Sequence, residues 1–105
     1  MIKVKIFKNK AGSIFAFEII DHGKDIVCSA VTALSFNAVN SIELFTDAKF
    51  KCDLEEDGGY LFFELEEPKN IPHDTELLLN SLALGLKSIE EEYKGSISIS
   101  IEEVC

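Results

Sequence analysis

Tryptophan is absent from this 105-residue chain, and proline occurs only twice. So little proline, with 47% apolar residues, excludes a collagen-like repeat, a low-complexity tract and a disordered acidic tail. Positive charge is the second shortage. Ten Lys plus Arg stand against 19 Asp plus Glu, a formal net charge of -9. A surface that neutralises phosphates needs the opposite sign, so direct nucleic-acid binding is not expected. Cysteine is scarce and scattered, with three residues and no C-x-x-C. With no H-x-x-x-H either, no metal site is expected, and without a phosphate loop or dinucleotide fingerprint no cofactor is expected. A signal-peptide pattern is lacking too, since Met1-Ile2-Lys3-Val4-Lys5 already alternates like a strand. Thiols without a disulfide framework then predict a reducing, cytoplasmic setting.

What is present has the size of one domain over 1–105, with a modest core. The charge is uneven: residues 1–52 carry seven Lys and five acids, and residues 53–105 carry three Lys and fourteen acids. The second half is therefore the acidic one, suited to a cationic partner. Ile26 to Phe45 runs 20 residues with Glu43 as its only charge, long enough to span a bilayer. Seven polar residues within it, from Ser29 to Glu43, favour a buried helix of a soluble domain, so no membrane partner is expected.

Ile2, Val4 and Ile6 alternating with Lys3 and Lys5 predict a strand, and 8–12 a turn. Ser13 to Ile20, apolar on both faces except for Glu18, predicts a strand inside a sheet. A loop over 21–25 ends in Asp25, placed to cap the helix that follows. That helix sets Val27, Val31, Leu34, Ala38, Ile42 and Phe45 at spacings of three and four. Strands over Ala48–Leu54 and Tyr60–Leu65 are joined by a hairpin containing Gly58-Gly59. After Pro68 and Pro72, a stripe of Leu77, Leu78, Ser81, Leu82, Gly85, Leu86, Ile89 and Tyr93 predicts a second helix, stopped by Gly95. Ile97, Ile99 and Ile101 give a last half-buried strand. The order β-β-α-β-β-α-β makes an α+β domain, two helices packed on a mostly antiparallel sheet.

Chemistry centres on one cysteine. Cys52 reads as a small buried hydrophobe beside Phe50 and Leu54, and Cys105 as an incidental terminal residue. Cys28 falls in the first turn behind Asp25, where unpaired amides and the helix dipole favour a thiolate, the nucleophilic form. His22 lies six residues before it, just past the second strand. If the loop containing Gly23 folds back, His22 can serve as proton carrier and the helix-start amides as an oxyanion hole. On residues alone, a structural cysteine in a first turn remains the alternative. His73 reads as a solvated helix-entry residue.

The run Asp25-Ile26-Val27-Cys28-Ser29-Ala30-Val31-Thr32-Ala33-Leu34 resembles the ribosomal-processing cysteine protease family of bacteria. The resemblance extends to Asn37-Ala38-Val39-Asn40, Gly58-Gly59-Tyr60 and Ile89-Glu90-Glu91-Glu92-Tyr93, and so to nearly the whole chain. It implies a homodimeric cysteine endopeptidase that removes the N-terminal extension of a basic large-subunit ribosomal protein. The substrate peptide would have aromatic residues before the cut and basic ones after it. Cys28 is similar to the family nucleophile and His22 to its general base, and Thr32 stands where the family usually has Ser. The family pattern has a Gly-His-Ala start and a longer interval before its cysteine; here Asp21-His22-Gly23 and six residues replace them. A naturally short loop, a chain lacking part of the loop, or a His22 that is only a loop residue all fit that interval. The alternative function is a non-catalytic ribosome-associated binding or assembly factor on the same fold. In either case the polar-poor helix over 26–45 predicts a homodimer.

Overall fold

In the first strand Ile2, Val4 and Ile6 are buried while Lys3 and Lys5 are exposed, so the alternation in the sequence is the alternation of the sheet. The computed structural model describes residues 1–20, 26–55 and 59–104. They form β1 (Ile2–Lys8), β2 (Ile14–Ile20), α1 (Ile26–Phe45), β3 (Phe50–Leu54), β4 (Tyr60–Leu65), α2 (His73–Glu92) and β5 (Ile97–Glu103). The strands make one five-stranded sheet in the order β3-β4-β2-β1-β5. All neighbours are antiparallel except β1 and β5, which run parallel because α2 carries the chain back across the sheet. The α+β order of two helices on a mostly antiparallel sheet is the one expected.

Register decides which side chains share a face. Val4 opposes Ile19, Ile6 opposes Phe17, Ile19 opposes Leu61 and Phe17 opposes Phe63, all of them buried. Phe63 stacks on Phe17 at 5.2 Å between ring centres and meets Phe50 at 4.9 Å. α1 covers this face with Val27, Val31, Ala38, Val39 and Ile42, and α2 adds Leu79, Leu82 and Leu86. Ser35 is also fully buried; its hydroxyl donates to the Val31 carbonyl at 2.7 Å, so its burial leaves no unsatisfied donor. The opposite face carries Lys3, Lys5, Glu18 and Tyr60. There Tyr60 Oη donates to Glu18 Oε2 at 2.7 Å.

Local chemistry fixes the turns. Asn9 is buried, accepts through Oδ1 from the amides of Ala11 and Ser13, and donates from Nδ2 to the Pro68 carbonyl. It thereby closes the β1–β2 turn and ties it to the segment before α2. Gly12 supplies the positive φ of that turn, +86°, and Gly95 a φ of +91° behind α2. The two helices cross closely at Gly85, where an added Cβ would lie 2.9 Å from Leu34 Cδ1.

Four sequence expectations are corrected. Cys52 is exposed, because β3 is the edge strand of the sheet. β3 starts at Phe50 and not at Ala48. Phe45, the last residue of α1, is 75% exposed. Leu77 is exposed while Thr75 and Leu79 are buried, so the buried face of α2 is rotated from the expected stripe. The turn with Gly58 lies outside the described residues, but the antiparallel β3–β4 pairing on either side of it is that of a hairpin. By length and composition α1 is the one described helix apolar enough to cross a membrane, yet its Val27, Val31 and Ile42 are committed to the core.

Candidate active site

β2 runs through the middle of the sheet and delivers the chain to the start of α1. Its last residues, Ile19 and Ile20, oppose Leu61 and Tyr60 at the start of β4, and Leu61 in turn opposes Leu54 at the end of β3. The end of β2, the first turns of α1 and the root of the β3–β4 hairpin therefore gather at one end of the sheet.

Cys28 is the third residue of α1, partly buried and packed against the core, with its sulfur in no disulfide. The first-turn amides of a helix have no carbonyl partner within the helix, and their dipoles point positive charge at whatever lies there. Residues four apart share a helix face, which puts Cys28, Thr32 and Phe36 in one column. Thr32 and Phe36 line a small, largely apolar pocket together with Ile19, Val31, Ser35, Leu54 and Leu61. A thiol in a helix first turn beside such a pocket can attack an electrophilic carbonyl while an apolar side chain of the same molecule is held nearby.

The other candidate residues fall as follows. Thr32 is exposed, one turn beyond Cys28 and on the pocket wall. His22, Gly23 and Asp25 lie outside the described residues, as does Cys105. His73 is the exposed first residue of α2, which follows the far end of β4, so it is not part of this end of the sheet. Among the described residues no group of three His, Cys, Asp or Glu could hold a metal ion. Phe36, Leu54 and Ile19 were not singled out in the sequence. The column from Cys28 through Thr32 was the available signal for Phe36; Leu54 and Ile19 join the pocket only through strand pairing.

Two perturbed groups frame this end. The Cys52 thiol is pushed up, first by partial burial of the sulfur and then by the adjacent Asp53 carboxylate. Tyr60 is pushed up to about 12, chiefly because its hydroxyl is engaged by Glu18, with burial and the charges of Glu18, Asp53 and Glu55 adding to it. Both shifts keep a proton on, the opposite of what a nucleophile needs.

A family model described as cysteine protease Prp matches residues 1–98. The ribosomal processing cysteine protease Prp of Bacillus subtilis is 32% identical over 95% of this chain and 96% of its own length. The Staphylococcus aureus protein of the same name is 30% identical over 76% of this chain and 74% of its own. The structure of the S. aureus ribosomal processing protease with a covalently linked product peptide superposes with a TM-score of 0.89 at 28% identity, covering 97% of this chain and 100% of that one. The structure with a substrate peptide gives 0.88, at the same identity and coverage.

Proposed function

This chain belongs to the Prp family of ribosomal processing cysteine proteases, and from that premise we propose that Cys28 and His22 form its catalytic dyad. The observation that carries the reading is the position of Cys28 in the first turn of α1, where the helix terminus stabilises a thiolate. The sulfur attacks the scissile carbonyl, forming an S–C bond, while His22 takes the thiol proton. The tetrahedral oxyanion is held by first-turn amides. The C–N bond then breaks, and His22 returns the proton to the leaving amine. Water, deprotonated by His22, attacks the thioester, releases the carboxylate and restores the thiol. In this proposal the sequence assigns Gly23 to the loop between base and nucleophile and Asp25 to the helix-cap position, while Thr32 lines the pocket one turn beyond Cys28.

The substrate in this reading is the N-terminal extension of a basic large-subunit ribosomal protein. Support comes from the net charge of -9, which draws in a Lys- and Arg-rich partner, and from the peptide complexes of the S. aureus relative. The enzyme acts in the cytoplasm as a homodimer. Ile26, Leu44 and Phe45, each more than 70% exposed on α1, supply apolar surface for the second copy.

The experiment is cleavage of a ribosomal-protein precursor by the wild-type chain and by Cys28→Ala and His22→Ala. Cleavage by the wild type and loss of about 10³-fold or more in both variants is expected, by the scale of nucleophile and base removal. Equal cleavage by wild type and Cys28→Ala would remove the nucleophile. Full activity in His22→Ala would leave Cys28 with a different base.

A further inference from the structure

β5 ends the sheet at the opposite edge from β3. Its inner side is committed to β1: the Ile2 amide donates to the Ser96 carbonyl at 3.0 Å, and the Val104 amide donates to the Lys8 carbonyl at 2.8 Å. Backbone groups alternate sides along a strand, so Ile97, Ile99, Ile101 and Glu103 turn their N–H and C=O away from β1. Two of these positions are occupied. Ile97 bridges to Lys94, and the Ile99 amide donates to Glu90 Oε2 at 2.9 Å. The Glu90 carboxylate thus stands where the carbonyl of a further strand would stand. Ile101 and Glu103 meet no strand on that side, and the Ile101 side chain is 58% exposed.

An unpaired edge is a template for an extended chain, and its charge selects which chain. Glu102 and Glu103 lie on the open stretch, while Glu90, Glu91 and Glu92 end α2 with no basic residue in the last turn. Acids there sit at the negative end of the helix dipole, where a cation is favoured. Pairing this edge with that of a second copy would gather the acids of both chains, whereas a basic strand would be drawn in. The inner side of β5 already shows the pattern that fits. On β1, Lys3 and Lys5 lie beside Ser98 and Ser100 on the open face, with Lys5 Nζ 3.9 Å from Glu102 Oε2; Ile2 and Val4 lie beside Ile97 and Ile99 on the face the helices cover. We infer that the outer edge of β5 takes an extended segment of a protein partner with this same alternation, apolar residues on the helix side and Lys or Arg on the open side. Glu90 releases the Ile99 amide to the partner's carbonyl, and Ile101 and Glu103 complete the pairing. The surface involves neither Cys28 nor His22, so it stands or falls apart from the dyad.

The test uses the full-length chain and a capped, dye-labelled peptide with the sequence of residues 2–8, Ile-Lys-Val-Lys-Ile-Phe-Lys. One control peptide has Glu in place of each Lys. A second is N-methylated at its central amides, which keeps the charge but removes the donors a strand needs. Fluorescence anisotropy gives Kd, and residue-resolved hydrogen exchange by NMR gives the seat. The Lys peptide should bind, more weakly as salt rises, and the Glu peptide should not. N-methylation should raise Kd about tenfold or more, the scale of two lost backbone hydrogen bonds. The amides of Ile101 and Glu103 should gain protection. Ile101→Pro removes one outward donor from an edge, where proline is tolerated, and should weaken binding with a urea midpoint near that of the wild type. If that variant does not fold, the N-methylated peptide decides alone, because it leaves the protein untouched. No binding of the Lys peptide, equal binding of the N-methylated one, or protection confined to β3 would overturn the proposal. So would a dimer that Ile101→Pro converts to a monomer in sedimentation, since that gives the edge to a second copy.

Discussion

Cys28 and Cys52 are both thiols, and their surroundings drive them apart. Cys28 sits at the positive end of a helix and Cys52 beside Asp53 on an exposed edge. Nucleophilic rate follows thiolate fraction, which changes tenfold per pH unit of separation between two thiols below their pKa values. Near neutral pH, iodoacetamide should therefore label Cys28 at least about tenfold faster than Cys52, read by mass spectrometry of the digested chain. Equal rates would mean that the α1 terminus confers no activation. Exposure alone predicts the reverse order, since Cys52 is the more accessible of the two. Tyr60 offers a second residue-scale test. Its folded pKa of about 12 lies above the ordinary value of 10, so the folded state holds the proton more tightly than the unfolded chain does. The associated stability is fully present below pH 10 and lost as pH rises from 10 toward 12. Ultraviolet titration of tyrosinate should show a late step near 12 that disappears in Tyr60→Phe and moves down in Glu18→Gln, where the acceptor charge is gone. An unmoved step in Glu18→Gln would show that the carboxylate charge does not hold the phenol proton.

At the scale of elements, the crossing of α1 and α2 decides where the Cys28 turn is held. Gly85 lets Leu34 approach to a distance that a Cβ would contest, but the contested atom is the tip of a flexible side chain. Gly85→Ala gains helix propensity of about 1 kcal/mol and asks only a small shift of Leu34, so its urea midpoint should equal or slightly exceed that of the wild type. Gly85→Leu overfills the crossing and should lower stability by about 1–3 kcal/mol. A wild-type midpoint in Gly85→Leu would mean the helices do not meet as closely as the structure has them. Gly85 was legible in the sequence only as a member of an apolar stripe; what it touches depends on a helix some fifty residues earlier. The same division runs through the fold. β1 and β2 were readable because their patterns are local, and the start of α1 because the polar loop ends abruptly at Ile26. The exposure of Cys52 and Phe45 was not readable, since period alone does not say where a sheet has its edge or which end residues of a helix stay uncovered. Cys28 and Thr32 could be picked out on one helix. Leu54 and Ile19 reach the pocket through β2–β4 and β4–β3 pairing, which no short window of sequence contains.

For the molecule as a whole, the charge that would attract the basic substrate proposed above also repels a second copy. Each chain carries -9, so a homodimer needs a contact surface without charge. The outer side of α1 is one. Ile26 and Leu44 are 18 positions apart, five full turns at 3.6 residues per turn, so they lie in line along the helix. Both are more than 70% exposed, and Glu43 is the only charged residue of α1. Apolar burial along that line favours association and is insensitive to modest salt, whereas repulsion between the acidic bodies is screened over about 8 Å at 0.15 M ionic strength. Raising salt should therefore strengthen the dimer. Sedimentation equilibrium at micromolar concentration should give a dimer for the wild type, a lower Kd at higher salt, and a monomer for Leu44→Glu, which would bury an unpaired charge. Leu44 is far from the Cys28 turn, so Leu44→Glu should keep the iodoacetamide reactivity of Cys28, showing that the monomer is folded. A wild-type monomer, or a dimer that Leu44→Glu leaves intact, would place any association on another face.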